Sequence, residues 1–370
     1  MAWIDRRLLT HMNWGLLSFT LLLFAVGIGN LYSASGIRLE EGIVQSSYYQ
    51  RQMIWGMIGA AAMLACMSFD YGHLQSFALP FFLFTLICLL MVPIFGKVIY
   101  GARRWIDLGP FHFQPSELAK LAVLVMGARV LGADGEALDW KRLAQVLCVG
   151  LAPAALIFMQ PDLGTALTVL ALLGGMILYH GLQPRVLRIC ILVIPLLLPA
   201  AWFGMHDYQR QRIMTFLDPS SDPRGSGYHI IQSQIAIGSG QIWGKGFQQG
   251  TQSQLRFLPE KHTDFAIAVF GEEWGFVGCV LLMALFCCFL LSIFSTVRSA
   301  KDRFGSTLAA GIFIYFFWQM LVNAGMVVGI MPVVGIPLPF LSYGGSATVV
   351  NFALLGLVLN ISMRRFLFKS

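Results

Sequence analysis

The sequence predicts an all-α polytopic membrane protein of about ten transmembrane helices, with one large ordered outer-face loop between spans seven and eight. Three observations carry this. Of 370 residues, 57% are hydrophobic and only 12% charged, and the mean hydropathy is +0.72; no soluble domain has that composition. About ten apolar runs approach the roughly 20 residues needed to cross a hydrocarbon core of about 30 Å. The alternation of a transmembrane barrel is absent, so these runs must satisfy their backbone internally, as helices. Residues 1–370 therefore read as one integral membrane domain, with a cap loop at about 206–263.

The formal net charge of +7 does not point to nucleic acid, because the basic residues are scattered at the ends of apolar runs. That distribution is what the positive-inside rule produces. The seven Cys fall in or beside apolar runs with no metal or disulfide spacing, and read as free cysteines packing as small hydrophobes in the membrane.

Arg6 and Arg7 precede an apolar run from Trp14 to Tyr32. Ser33-Ala34-Ser35 faintly resembles a cleavage site, but the run is too long for a signal peptide, so it reads as a retained first span. Spans two and three run roughly over 53–69 and 77–95. The link from Lys97 to Gln114 then lies outside, yet it holds Lys97, Arg103 and Arg104 against the positive-inside rule. Either the topology slips by one span here or these cations hold an anion.

Span four opens with Gln114-Pro115-Ser116-Glu117, proline at the first helical position and an acid in the first turn. Lys120 lies three residues beyond Glu117 on the same face. A lysine one turn into a membrane helix is costly and faces a cavity or a partner; a self-neutralising Glu117–Lys120 pair is the alternative to a functional site. Arg129, Lys141 and Arg142 mark the next turn as cytoplasmic. Gln160-Pro161-Asp162 repeats the helix-start device on the outer side, where Asp162 either complements the helix dipole or shares a cavity with Lys120.

Residues 206–263 are far longer than an ordinary connection. They hold Asp207, Arg210 and Arg212, a proline-rich turn region, and Tyr228–Ile237, whose apolar spacing suits a short amphipathic helix. The eighth apolar stretch, 265–294, is about 45 Å long as a helix, so its first turns stand above the lipid. That geometry would line Asp264, Glu272 and Glu273 along one cavity wall. Arg298, Lys301 and Arg303 are cytoplasmic, a ninth span covers about 308–330, and a proline-rich, re-entrant link leads to the last span at 349–361.

The outer side thus gathers cations beside carboxylates, which suits a lipid-linked phosphate or pyrophosphate. No P-loop, zinc spacing or nucleophile elbow is present. Asp264 stands at the boundary of cap loop and helix, with Glu260, His262 and Thr263 just before it. Desolvation there would raise its pKa towards that of a general base, whereas a plain reading makes it the N-cap of the following helix.

The segments FQPSELAK, QPDLGT, YHIIQSQIAIGSG, GTQSQLRFLPEKHTDF and PLPFLSYGGS resemble the SEDS family (shape, elongation, division, sporulation), its elongation branch more than its division branch. The likeness spans nearly the whole chain. It implies a ten-span bundle in the bacterial cytoplasmic (inner) membrane with a periplasmic catalytic side. It also implies a peptidoglycan glycosyltransferase that polymerises lipid II alongside a class B penicillin-binding protein and other elongation-complex proteins. The family's essential aspartate falls on Asp264, and its paired Glu and Lys fall on Glu117 and Lys120. Candidates for holding pyrophosphate or sugar are Lys120, Glu117, Arg210, Arg212, Asp162, Arg103, Arg104, His262, Thr263, Glu272 and Ser342. A divalent cation, Mg or Mn, is the one cofactor considered, without assigned ligands. A lipid II flippase and a non-catalytic scaffold are the rival classes.

Overall fold

The computed structural model describes residues 10–365, except 40, 41, 46, 100, 101, 108, 110, 111, 134–136, 206, 223, 224, 256 and 259. Thus Arg6, Arg7, Glu40 and Glu41 lie outside the described residues. Among the described residues, ten helices of 18 or more residues run back and forth: α1 (Trp14–Ser35), α2 (Tyr48–Ser68), α3 (Tyr71–Phe95), α4 (Pro115–Gly132), α5 (Trp140–Met159), α6 (Leu163–His180), α7 (Pro184–Gly204), α11 (Ala266–Ser299), α12 (Arg303–Val328) and α13 (Gly345–Met363). Among the described residues, seven of them are long and apolar enough to cross a membrane by length and composition. Of the other three, α2 carries Arg51 and α4 carries Glu117, Lys120 and Arg129, which lower their hydropathy, whereas α7 is mostly apolar from Ile189 to Phe203.

Local chemistry sets where these helices begin. The side chains of Asn13, Asp70, Asp139, Asp162 and Asp302 each accept a hydrogen bond from a first-turn amide, while Pro115 and Pro184 stand at first helical positions. Gly329 closes α12 in the left-handed conformation. Helix α13 is the centre of the bundle, buried on every side from Val350 to Met363. Small residues let its neighbours approach: Gly356 abuts the backbone of Met63 on α2, and Gly59 of α2 takes the Phe352 ring. Outer helices instead present Met57, Leu83, Ile191 and Leu281 outward.

The connections correct the expectation of a purely helical chain. Residues 36–45 form an antiparallel pair, β1 (Gly36–Leu39) with β2 (Gly42–Gln45). Residues 96–113 form a three-stranded antiparallel sheet, β3 (Gly96–Ile99), β4 (Ala102–Asp107) and β5 (His112–Phe113), with β4 in the middle. In these links the N–H and C=O groups that no longer belong to a helix are satisfied by pairing strand with strand.

Between α7 and α11 come α8 (Asp207–Leu217), a 3-10 turn (Pro219–Ser221), α9 (Ser226–Ser239) and the short α10 (Thr251–Gln254). Helix α9 fulfils the amphipathic reading of Tyr228–Ile237. The long helix α11 is not continuous, however. Gly275 (φ 65°, ψ −164°) breaks it one turn past Gly271. Residues 241–246 close the break: Phe276 and Val277 amides donate to the carbonyls of Gln241 and Ile242, and Lys245 and Gly246 amides donate to those of Glu272 and Glu273. Gly244 (φ 79°) is pressed against the Glu273 carbonyl, where no side chain fits.

The segment after α12 enters the bundle as expected. Its Phe340 carbonyl lies against Gly27, eight residues before the end of α1 at Ser35 and thus about 12 Å along that helix. Protein rather than lipid surrounds this irregular backbone: Leu338, Phe340 and Leu341 are all buried.

Candidate functional site

Asp264 precedes Phe265, the N-cap position of α11, and α11 has no side-chain cap. The capping reading of Asp264 is therefore corrected. Its carboxylate faces the re-entrant segment, and a Cβ placed on Gly335 would lie 3.4 Å from its Oδ2. Among the described residues its carboxylate has no hydrogen bond or ion pair within the protein. Burial, then the neighbouring Glu260 and Asp162, push the Asp264 carboxyl up to about 6, against the opposing pull of Arg212 and Arg104. So the loop before α11, helix α8, strand β4 and the α5–α6 corner all bring charge to one carboxylate.

Each of those neighbours is placed by local structure. Alternation along β4 sends Arg103 and Arg104 to opposite faces. Arg104 donates to the carbonyls of Gln160 and Pro161 and lies 3.9 Å from Asp162. Arg103 turns away and donates to the Pro93 carbonyl, so it leaves the candidate site. Asp162 caps α6 through the Thr165 amide (3.2 Å) and takes the Gln114 side-chain amide at 3.4 Å. The cap on α6 fits the dipole reading of Asp162, and its charge also acts weakly on Asp264 and Lys120. Of the three cations in 97–114, Lys97 pairs with Asp107, Arg103 turns away, and only Arg104 comes to Asp264's end of the bundle.

Thr263 donates to Glu260 at 3.0 Å, and Glu260 itself has a left-handed backbone (φ 47°) that a non-glycine residue adopts at a cost. The His262 ring stacks on Tyr48, 4.4 Å between centroids. Burial, reinforced by Lys261, drives its imidazole down to about 4, so it is neutral at pH 7. The His262 carbonyl accepts the Tyr343 amide at 2.7 Å, tying this loop to the re-entrant segment.

Glu117 and Lys120 form a buried ion pair at 2.6 Å, with the ammonium 5.3 Å from the centroid of the Tyr315 ring. The second oxygen of Glu117 has no protein partner. Lys120 is therefore committed to Glu117, while the pair as a whole stays open to a further donor.

Three more expected site residues serve the scaffold. Arg210 donates to the Trp202 and Phe203 carbonyls and so closes the end of α7. Fully buried Glu272 accepts from Lys245 (2.8 Å) and from the Gln252 and Ser253 amides, pinning α10. It does not share a cavity wall with Asp264, because the break at Gly275 and the α10 loop enclose it. Buried Ser342 accepts the Leu338 amide at 3.0 Å within its own turn. Lys261 likewise donates to the Ser253 and Gly36 carbonyls.

The sequence reading missed Gly275, Gly335 and the buried stripe Tyr315, Gln319, Asn323 on α12. The stripe had a signal: three polar residues four apart within an apolar span. Among the described residues no group of three His, Cys, Asp or Glu side chains converges to hold a metal ion.

Comparison with known proteins places this geometry. The profile described as "Cell cycle protein", FtsW/RodA/SpoVE, matches residues 14–366. The peptidoglycan glycosyltransferase MrdB of Escherichia coli is 42% identical over 96% of this chain and 94% of its own. The peptidoglycan glycosyltransferase RodA of Treponema pallidum is 32% identical over 95% of this chain and 97% of its own. A chain from a structure described as "Structural coordination of polymerization and crosslinking by a peptidoglycan synthase complex" superposes with a TM-score of 0.82 at 32% identity, covering 98% of this chain and 99% of that one. The rod shape determining protein RodA of Thermus thermophilus superposes at 0.72 with 28% identity, covering 96% and 98%. With the profile match running nearly end to end and these relatives aligned along almost their full lengths, the chain belongs to the FtsW/RodA/SpoVE family.

Proposed function

We propose that this chain is a peptidoglycan glycosyltransferase that polymerises lipid II into β-1,4-linked glycan strands during cell elongation, with Asp264 as general base. One observation carries the mechanism: Asp264 holds a half-buried carboxylate whose pKa burial raises to about 6, within the electrostatic reach of Arg212 and Arg104. A base that is ionised at neutral pH yet basic enough to take a sugar proton needs that value. Asp264 takes the proton of the acceptor 4-hydroxyl as its oxygen attacks the anomeric carbon of the donor. The bond to undecaprenyl pyrophosphate breaks, and the leaving group departs with the electron pair. Arg212 and Arg104 meet its charge. One displacement inverts the α-linked donor to a β bond, with no covalent intermediate.

The elongation role is favoured over division by the MrdB and RodA relatives, although a probable FtsW of Geobacter metallireducens is also 37% identical. The chain reads as a single ten-span domain of the bacterial inner membrane. Asp264 and the 206–263 cap are periplasmic, and the opposite end, with Arg129, Lys141, Arg298 and Arg364, is cytoplasmic. A class B penicillin-binding protein supplies crosslinking, as the synthase complex among the structural relatives suggests. The rival lipid II flippase draws on the buried Glu117–Lys120 pair.

The test is glycan synthesis from lipid II by purified protein with its penicillin-binding partner. Asp264→Asn keeps the size and removes the base, so the rate should fall by at least about a hundredfold. Near wild-type polymerisation by that variant would end the base assignment. Transport of lipid II without glycan synthesis by the wild type would favour the flippase.

A further inference from the structure

The carbonyl of Asp264 lies before the first turn of α11, and the helix amides turn to Phe265 instead: Ala268 and Val269 both donate there. A buried carbonyl without a donor is costly. Asn323, fully buried on α12, supplies one: its Nδ2 donates to the Asp264 carbonyl at 3.0 Å. The second N–H of the same amide donates to the Ile336 carbonyl at 2.8 Å. One side chain thus ties together two stretches of irregular backbone that approach from different parts of the chain. Between those ties the Asp264 carboxylate approaches Gly335, where an added Cβ would lie 3.4 Å from its Oδ2. Gly335 (φ 74°) sits in the left-handed region and presents no side chain to that carboxylate.

We infer that Asn323 is a positioning residue for the proposed base: its amide holds the Asp264 backbone against the Gly335–Ile336 segment, and so fixes where the carboxylate stands. The inference rests on the glycosyltransferase reading above. Asparagine supplies both donors, with its own Oδ1 buried and without a protein partner. Both of its amide protons are used, and its stem is short enough to stay within α12's packing. Leucine has nearly the same shape and would leave two buried carbonyls without donors. Aspartate would turn a carboxylate oxygen on each of them. Glutamine keeps both protons but carries them one methylene further.

The charged groups that face Asp264 are Glu260 from its own loop, Arg212 from α8, Asp162 from the α5–α6 corner and Arg104 from β4. Releasing the Asn323 tie lets the Asp264 backbone move away from the re-entrant segment and admits water. The carboxylate then titrates closer to an ordinary aspartate.

The experiment uses full-length protein with its penicillin-binding partner and lipid II. It compares wild type, Asp264→Asn, Asn323→Leu and Asn323→Gln, reading kcat, KM and the acid limb of the pH–rate profile. Asn323→Leu should lower kcat by roughly 10- to 100-fold with KM within about twofold, as expected when 1 Å of misplacement spoils catalytic geometry. Its acid limb should move to lower pH. Asn323→Gln should show the same shift with a smaller loss, and it decides the matter should the leucine variant fail to fold. Unchanged kcat and an unchanged acid limb in a folded Asn323 variant, with Asp264→Asn inactive, would overturn the inference and leave the base assignment standing. Full activity of Asp264→Asn would instead remove the base assignment itself.

Discussion

Gly275→Ala is the sharpest perturbation of the frame that carries Asp264. At φ 65° and ψ −164° the backbone occupies a region open essentially to glycine, and forcing alanine into it costs roughly 1–3 kcal/mol. The new methyl would also press on the Gly244 amide nitrogen and lie 2.7 Å from the Ile242 carbonyl oxygen. Overpacking against backbone adds about 1–3 kcal/mol, because backbone cannot swing aside as a side chain can. The alternative is for the 241–246 loop to leave. That would forfeit the four backbone hydrogen bonds across the break, at about 0.5–1.5 kcal/mol each. Either route comes to about 2–6 kcal/mol. The assay is thermal unfolding of purified protein in detergent, where a loss of several degrees is expected, alongside glycan synthesis at a permissive temperature. Activity should fall too, since Asp264 stands at the start of the short helical piece that precedes the break. Gly174→Ala is the control: a methyl there meets open space, so stability should hold or rise. Wild-type stability of Gly275→Ala would show that the break and its inserted loop are not features of the folded protein.

Other outcomes follow from the same geometry. The rate should fall on the acid side with a midpoint near 6, the pKa of Asp264, and a limb near 4 would contradict the desolvated base. Because the folded pKa is raised, ionising Asp264 costs stability as pH rises from about 4 through about 6. Asp264→Asn should therefore unfold at the wild-type temperature or higher at pH 8, and Asp264→Ala should lose no helix cap; a marked fall in either would restore the structural reading. Lys120→Ala strands a buried Glu117, a loss of about 3–5 kcal/mol for breaking a buried pair. Membrane levels and glycan synthesis of Lys120→Ala and Lys120→Met would separate a structural loss from a catalytic one, and full activity of a well-expressed variant would confine the lysine to neutralising Glu117. Single Cys probes at 97 and 245 in a Cys-free background should react from outside the cell, and a probe at 299 should not. External labelling at 299 would invert the proposed topology.

The sequence by itself determined the class of protein and the order of the long helices, and it located most of their starts. Those follow from apolar run length and from Asp, Asn and Pro at helix starts, which are local properties and hence legible in one dimension. It also pointed to Asp264 and to the Glu117–Lys120 spacing, because a charge near or within an apolar run is conspicuous. Tertiary structure alone decided which charges share a site. Arg103 and Arg104 are neighbours in sequence, yet strand alternation sends one to Pro93 and the other to the corner at Asp162. Arg210 and Arg212 are two apart on α8, and one closes α7 while the other reaches the field of Asp264. Glu272 has the composition of a site residue, but its partners come from a loop some 20 residues away in sequence. The break at Gly275 was hidden for the same reason. A glycine in a long apolar run is unremarkable until a loop from outside the helix supplies the hydrogen bonds that the broken turns lack. Long-range pairing of this kind leaves no period in the sequence, so only the folded chain reveals it.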